Sequence, residues 1–358
     1  MGWSSMRDGS TSSALTGDDG RPQMSPGAWK MPAALELTLD SWDLDLYSCH
    51  GLAGGASETE LLGVALALFN SVGISSTLNV PTQTVQNFLY TTCQGYQPQP
   101  FHNFAHGVYV LQGCVVALKR SATLRELLRP KDQLALCIAA IGHDVGHMGV
   151  QNTFLERTND PLAMLYNDRS VLESMHASRL FYILQRAQGC GLFERLTVDE
   201  FRELRKLMID AIMATDLKHH FDDLTKFNNR IENAEKEPWT IESAADRQMA
   251  VNMVLHAADL SGPARPWAVS SVWADRVQQE FVAQVAQEEK LQLPVSSFLL
   301  APKPKLEQGF MKLFALPLWQ AVAKFLPELE DRVADLNANY QQWEQMLEEM
   351  DQSQSASP

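Results

Sequence analysis

The chain has 358 residues, 45% of them hydrophobic, and its 43 acidic side chains outnumber 29 basic ones to give a formal net charge of −14. A chain of this size buries a substantial core without disulfides, and its acidic balance excludes a nucleic-acid backbone as main partner, since phosphate contacts need clustered Lys and Arg. Five cysteines, Cys49, Cys93, Cys114, Cys137 and Cys190, are scattered with no CxxC and leave one over, which argues against a disulfide framework and for a reducing, cytoplasmic setting.

No apolar run reaches the ~20 residues of a membrane-spanning helix. The chain therefore reads as free of a membrane segment, although it fits equally as part of a longer or membrane-associated protein. Residues 1–33, rich in Gly, Ser, Asp, Thr and Pro, read as a disordered tail. A single domain follows over 34–350, and the polar residues 351–358 read as a second disordered tail.

Within the domain, apolar residues recur at three-to-four spacing over 58–71, 82–90, 106–119, 131–141, 168–188, 198–214, 244–260 and 270–287. Nowhere do alternating β-branched runs assemble a sheet. The fold class is all-α, a compact multi-helix bundle. Thr197 with Glu200, and Thr240 with Ser243, mark helix starts, and Pro294, Pro302 and Pro304 mark an irregular segment before the last helices.

The chemistry lies in three places. His102 and His106 are four apart, so a single helix would set both rings on one face, with Asn103 placed to orient a ring. His143-Asp144 follows an apolar stretch, where an unpaired carboxylate costs several kcal/mol and a metal is the usual relief, and His147 lies one turn on, facing the same way as His143. Asp259 ends the apolar run His256-Ala257-Ala258-Asp259-Leu260. An isolated HxxxH is as readily a structural pair, and the bland account is four buried polar groups with separate partners. Imidazole and carboxylate without thiolate suit zinc, or zinc beside a harder magnesium or manganese site. The chain reads as a metallohydrolase.

These residues, in order, resemble the catalytic domain of the class I 3′,5′-cyclic-nucleotide phosphodiesterases: His102, Asn103, His106, His143, Asp144 and Asp259. Also in order come the stretch Tyr166 to Glu173 with His176, Ala214-Thr215-Asp216 with His220, Asp259-Leu260-Ser261, Trp273, Glu280-Phe281 and Pro317-Leu318-Trp319. The resemblance covers Trp42 to about Leu326. It implies that His106, His143, Asp144 and Asp259 hold one ion, usually Zn2+, and that Asp144 bridges to a second, Mg2+ or Mn2+. It implies hydrolysis of the 3′ phosphoester of cAMP or cGMP by hydroxide that the two ions activate. His102 is then the general acid, an imidazole near its unperturbed pKa of ~6.5, oriented by Glu173. His147, Asn152, His176, Thr215 and Asp216 support the site, and Val277, Phe281 and Phe310 clamp the base. The partner implied is a small cyclic nucleotide, and a homodimer is compatible with it.

The departures concern recognition. The family reads the base with a glutamine three residues before the clamping phenylalanine; here that place holds Glu307, and Gln308 comes one later. Either residue is open as the reader of the base. Gly262 stands where adenine-selective relatives often carry asparagine, Phe101 replaces a tyrosine, Met175 a histidine, and Gly146 an acidic residue. Two rival readings remain: a catalytically silent nucleotide-binding or scaffold domain, and another HD-domain phosphohydrolase.

Overall fold

The computed structural model describes residues 29, 31–47 and 55–355. Among the described residues there is no strand, and the helices follow in the order α1 (Ala33–Glu36), α2 (Glu58–Ser71), α3 (Ile74–Leu78), α4 (Thr82–Gly95), α5 (Phe104–Arg120), α6 (Ala122–Leu127) and α7 (Pro130–Gly142). Next come α8 (Asn152–Arg157), α9 (Pro161–Tyr166), α10 (Val171–Arg186), α11 (Val198–Met213), α12 (His220–Glu232) and α13 (Ala244–Asp259). The last are α14 (Trp267–Lys290), α15 (Lys303–Phe310), α16 (Leu316–Phe325) and α17 (Asp331–Ser355), with a π-helical turn, Met311–Ala315, between α15 and α16.

Two helix starts follow the sequence signals directly. Thr197 Oγ1 accepts from the Glu200 amide at 3.3 Å while Glu200 Oε2 accepts from the Thr197 amide at 2.9 Å, and Ser243 Oγ accepts from the Asp246 amide at 3.1 Å. Each cap satisfies an otherwise orphaned N–H and contributes about 1 kcal/mol. The helix expected over 168–188 starts only at Val171, because Asn167, Asp168 and Ser170 take positive φ values of 55°, 58° and 42°. α12 carries no clear apolar period in the sequence, because only His220, Leu224 and Phe227 of its residues are buried and its apolar stripe is thin. α17 continues to Ser355, past the break expected at 351. The proposed N-terminal tail lies mostly outside the described residues, but Trp29 and Met31 pack against the core.

Four helices make a closed ring at the centre: α5 packs on α7, α7 on α11, α11 on α13, and α13 back on α5. Every residue of α5 from His106 to Leu118 is buried, so the helix is apolar around its whole circumference and must be central. Gly113 lets α5 and α13 close, because a Cβ there would come within 3.2 Å of both Ala258 and Trp42. This packing sets the first turn of α5 beside the C-terminal ends of α7 and α13. All three chemistry-bearing segments are thereby brought to one end of the ring.

Candidate metal centre and active site

His106 sits in the first turn of α5, His143 caps the C-terminus of α7, and Asp259 is the last residue of α13. Helix C-termini carry partial negative charge, so two of the three segments favour a cation before any side chain is counted. His106 Nε2 lies 3.1 Å from His143 Nε2, 3.0 Å from Asp259 Oδ1 and 3.2 Å from Asp144 Oδ2. His143 Nε2 lies 3.2 Å from each of the same two carboxylates. With metal bonds of ~2.0–2.1 Å, the edges of a coordination polyhedron are about 2.9 Å (octahedral) to 3.4 Å (tetrahedral). The observed separations fall in that interval.

The protonation chemistry agrees. Burial opposes charging His143, yet Asp144 and Asp259 hold its pKa well above the ordinary histidine value. Both carboxylates are pulled down against burial, chiefly by His143. The pocket demands positive charge, and a divalent ion meets that demand better than shared protons. His143 Nδ1 donates to the Ala140 carbonyl at 2.8 Å, which turns Nε2 toward the cluster.

Asp144 belongs also to a second group of potential ligands with His147 and His176. His176 Nε2 is 3.6 Å from Asp144 Oδ1, and its Nδ1 bonds the Val145 carbonyl at 3.0 Å. Burial holds His176 at about 4 and His147 well below the usual range, so both rings are neutral at pH 7, the state in which imidazole ligates. The expectation that His147 lies one helical turn beyond His143 is corrected: α7 ends at Gly142, and His147 follows a turn through Gly146 at φ +85°. His147 accordingly joins the Asp144–His176 side. A Cβ at Gly146 would collide with the Arg179 guanidinium, which covers this glycine, so the missing acidic residue is accompanied by a nearby cation.

His102 is not on the helix of His106. α5 begins at Phe104, and Asn103 is its N-cap, accepting from the amides of Ala105 and His106 at 2.9 and 3.3 Å and donating to the carbonyls of Gln99 and Pro100 at 2.8 and 3.2 Å. Asn103 thus fixes the bend and the helix start; it does not bond a ring. The bend still sets His102 5.8 Å from His106, centroid to centroid, and stacks it on His147 at 3.8 Å.

The partner of His102 also differs from expectation. Glu280 of α14 meets His102 Nδ1 at 2.5 Å and accepts from the amides of Phe101 and His102, each at 2.8 Å. Glu173 instead accepts from Asn152 Nδ2 at 2.9 Å, and burial followed by the charge of Asp216 raises its pKa to about 7. Although burial lowers the pKa of His102, Glu280 outweighs it and holds the value above ordinary, which favours the charged ring. The sequence signal for Glu280 was slight: it is separated from His102 by 178 residues.

Of the other expected support residues, Asn152 also accepts from the Leu172 amide at 2.8 Å, tying α8 to α10. Thr215 Oγ1 donates to the Ile212 carbonyl at 2.8 Å, and Asp216 caps the following turn through the Lys218 amide at 2.9 Å, with Oδ2 buried and unpartnered. Met175 is buried in a small apolar cluster with Phe154 and Leu172. Val277, Phe281, Glu307, Gln308 and Phe310 are half-buried on α14 and α15, which pack together.

An all-α domain that gathers buried histidines and aspartates at converging helix ends has the architecture of a metal-dependent hydrolase. The chain belongs to the 3′,5′-cyclic nucleotide phosphodiesterase family, whose model matches residues 101–336. It is 31% identical over 314 residues to the 3′,5′-cyclic-nucleotide phosphodiesterase regA of Dictyostelium discoideum, covering 87% of this chain and 38% of that protein. It is 30% identical to a human high-affinity cAMP-specific 3′,5′-cyclic phosphodiesterase (84% of this chain, 38% of the relative). With a high-affinity cGMP-specific enzyme of Drosophila melanogaster it shares 32% identity (77% and 18%). The chain therefore spans less than half of these relatives. The crystal structure of the phosphodiesterase domain of a rhodopsin phosphodiesterase fusion protein from Salpingoeca rosetta superposes with a TM-score of 0.82 at 30% identity, covering 88% of this chain and 99% of that one.

Proposed function

We propose that this chain hydrolyses 3′,5′-cyclic nucleotides to 5′-nucleoside monophosphates, with His102 as general acid. The observation that carries the reading is the convergence of His106, His143, Asp144 and Asp259 beside the hydrogen-bonded His102–Glu280 pair. In this reading those four residues hold Zn2+, and Asp144, with His147 and His176 beside it, holds Mg2+ or Mn2+. When bound, the two ions supply Lewis acidity toward the phosphate and lower the pKa of water. They also offset the repulsion between an anionic substrate and an acidic protein.

His102 delivers the proton. Glu280 occupies Nδ1, so Nε2 is the one donor free to serve the departing 3′ oxygen, and the raised pKa favours the charged ring that has a proton to give. Glu173, with its pKa near 7 and its bond to Asn152, supports the Asp216 side of the site and does not orient the acid.

Base recognition belongs to α14 and α15, with Val277 and Phe281 facing Phe310 as the clamp. Glu307 is the better candidate than Gln308 to read the base, because burial, opposed by Lys303, raises its pKa to about 7. A carboxyl poised there can donate when protonated and accept when ionised. Gly262 abuts Trp273, where a Cβ would come within 2.8 Å, so an adenine-contacting asparagine has no room without a shift of the indole. Among the described residues no helix is long and apolar enough to cross a membrane, and Cys93, Cys114, Cys137 and Cys190 are free and buried.

The test is hydrolysis of cAMP and of cGMP by the purified chain with added Mg2+, before and after chelation and after metal is restored. Cleavage that is lost on chelation and regained with metal is expected. Binding of both nucleotides without cleavage would establish the silent-domain alternative instead.

A further inference from the structure

Helix α14 carries three buried polar residues at successive turns, Glu280, Gln284 and Glu288, which are 4%, 1% and 0% exposed. The i, i+4, i+8 spacing puts them on one face, and each fastens a different loop. Glu280 holds the bend of His102 through two amides and the ring. One turn on, Gln284 Oε1 accepts from the amide of Gln151 at 2.8 Å, the residue that caps α8 directly after the turn bearing Asp144 and His147. A further turn on, Glu288 accepts from the Ser296 amide at 2.6 Å and from Ser296 Oγ at 2.9 Å, in the segment that leads to α15 and Phe310. Arg157 of α8 reaches the same Ser296 hydroxyl at 3.3 Å.

The last two links are not independent. Gln284 Nε2 donates to Glu288 Oε1 at 2.9 Å. An ionised carboxylate only accepts, so Glu288 compels Gln284 to present its N–H2 on that side and hence its carbonyl oxygen to Gln151. Although burial opposes the charge, the bonds from Ser296 and Gln284 hold the Glu288 pKa below the ordinary glutamate value, so it is ionised at neutral pH. The orientation of one buried amide therefore couples the charge of Glu288 to the backbone N–H at the start of α8.

We propose that Glu280, Gln284 and Glu288 form a hydrogen-bonded spine on α14 that sets the acid loop, the metal loop and the base-clamp segment relative to one another, with Gln284 and Glu288 as positioning residues for the hydrolysis. The inference rests on the activity proposed above. Its signature is a polarity swap. Glu288→Gln keeps the shape but leaves one acceptor oxygen where the carboxylate offered two, Oε2 to the Ser296 amide and Oε1 to Gln284 Nε2 and the Ser296 hydroxyl. Either its N–H2 faces the Ser296 amide, or it faces Gln284, which must then turn over and set donor against donor at Gln151; both orientations leave an unsatisfied buried donor, which is costly. Adding Gln284→Glu removes the conflict with the same net charge: the carboxylate, moved one turn, accepts from the Gln151 amide and from the new amide at 288, whose oxygen accepts from the Ser296 amide, and only the Ser296 hydroxyl bond reverses direction.

Amide hydrogen exchange and steady-state kinetics on the full chain test this. Glu288→Gln is expected to speed exchange at Gln151 or at Ser296 and to lower kcat/KM about tenfold; the double variant is expected to return both to within about threefold of the unmodified chain. If the single variant does not fold, the double variant decides alone: folded, active and protected at Gln151 it supports the spine, and otherwise it overturns it. A single variant with unaltered exchange, faster exchange without a kinetic effect, or a double variant no better than the single, each overturns the positioning role. Should the unmodified chain cleave neither nucleotide, the functional reading fails and takes this role with it. Failure of the swap in an active chain sinks the spine alone.

Discussion

The two ends of α7 each carry a buried aspartate, and they are handled in opposite ways. Asp132, in the first turn, is fully buried and meets Arg129 Nη2 at 2.8 Å and Arg247 Nε at 3.1 Å, with Glu203 sharing both guanidinium groups. The positive end of the helix dipole adds to that stabilisation. Asp144, just past the last turn, is 8% exposed and lies at the negative end. Its side-chain partners among the described residues are the imidazoles of His106, His143 and His176. The same residue type, on the same helix and similarly buried, is complete at one end and incomplete at the other. A buried carboxylate faced by arginine is structural; one faced only by imidazoles at a helix C-terminus asks for a cation from outside.

Breaking the incomplete end should have the greatest effect on function. Asp259→Ala is expected to lose metal and to cut turnover by more than about a thousandfold, whereas His102→Ala keeps metal and loses about 10²–10⁴ in kcat. Elemental analysis beside kinetics separates the two, and equal metal loss in both variants would contradict the division of roles. Breaking the complete end should instead cost stability. Asp132→Ala leaves Arg247 buried with one partner fewer and is expected to lower unfolding free energy by about 3 kcal/mol in a denaturant titration, with metal content unchanged.

The smallest effect concerns specificity, away from either end. Because Glu307 titrates near pH 7, it is a neutral carboxyl at pH 6 and an acceptor-only carboxylate at pH 8. Guanine offers it two donors, N1–H and N2–H, against the single amino group of adenine. The cGMP to cAMP ratio of kcat/KM should rise a few-fold between pH 6 and 8 and become flat in Glu307→Gln, while Gln308→Ala leaves the slope in place. A slope that survives Glu307→Gln assigns the titration elsewhere.

Much of this contrast was legible in the residues themselves. Apolar spacing located the four ring helices, and a carboxylate after an apolar run marked both Asp144 and Asp259. Four-residue spacing alone puts His102 and His106 on one helix; Asn103 is among the preferred N-cap residues, and that preference places the helix start at Phe104. Glu280 was obscured for a different reason. A pairing across 178 residues leaves no local trace, and only the polar stripe Glu280, Gln284, Glu288 on a long helix hints that its face is buried against something polar. The complete end of α7 gave no functional signal, since Arg129 and Arg247 read as ordinary surface charges until the fold brings them onto Asp132.

The most direct test of the contrast is metal content of the full chain, purified with Zn2+ and Mg2+ present, in three forms: unmodified, Asp132→Asn and Asp144→Asn. The unmodified chain and Asp132→Asn should retain the same complement of ions, and Asp144→Asn, which removes the carboxylate shared by both ligand groups, should lose it. Full retention of metal by Asp144→Asn would contradict the account.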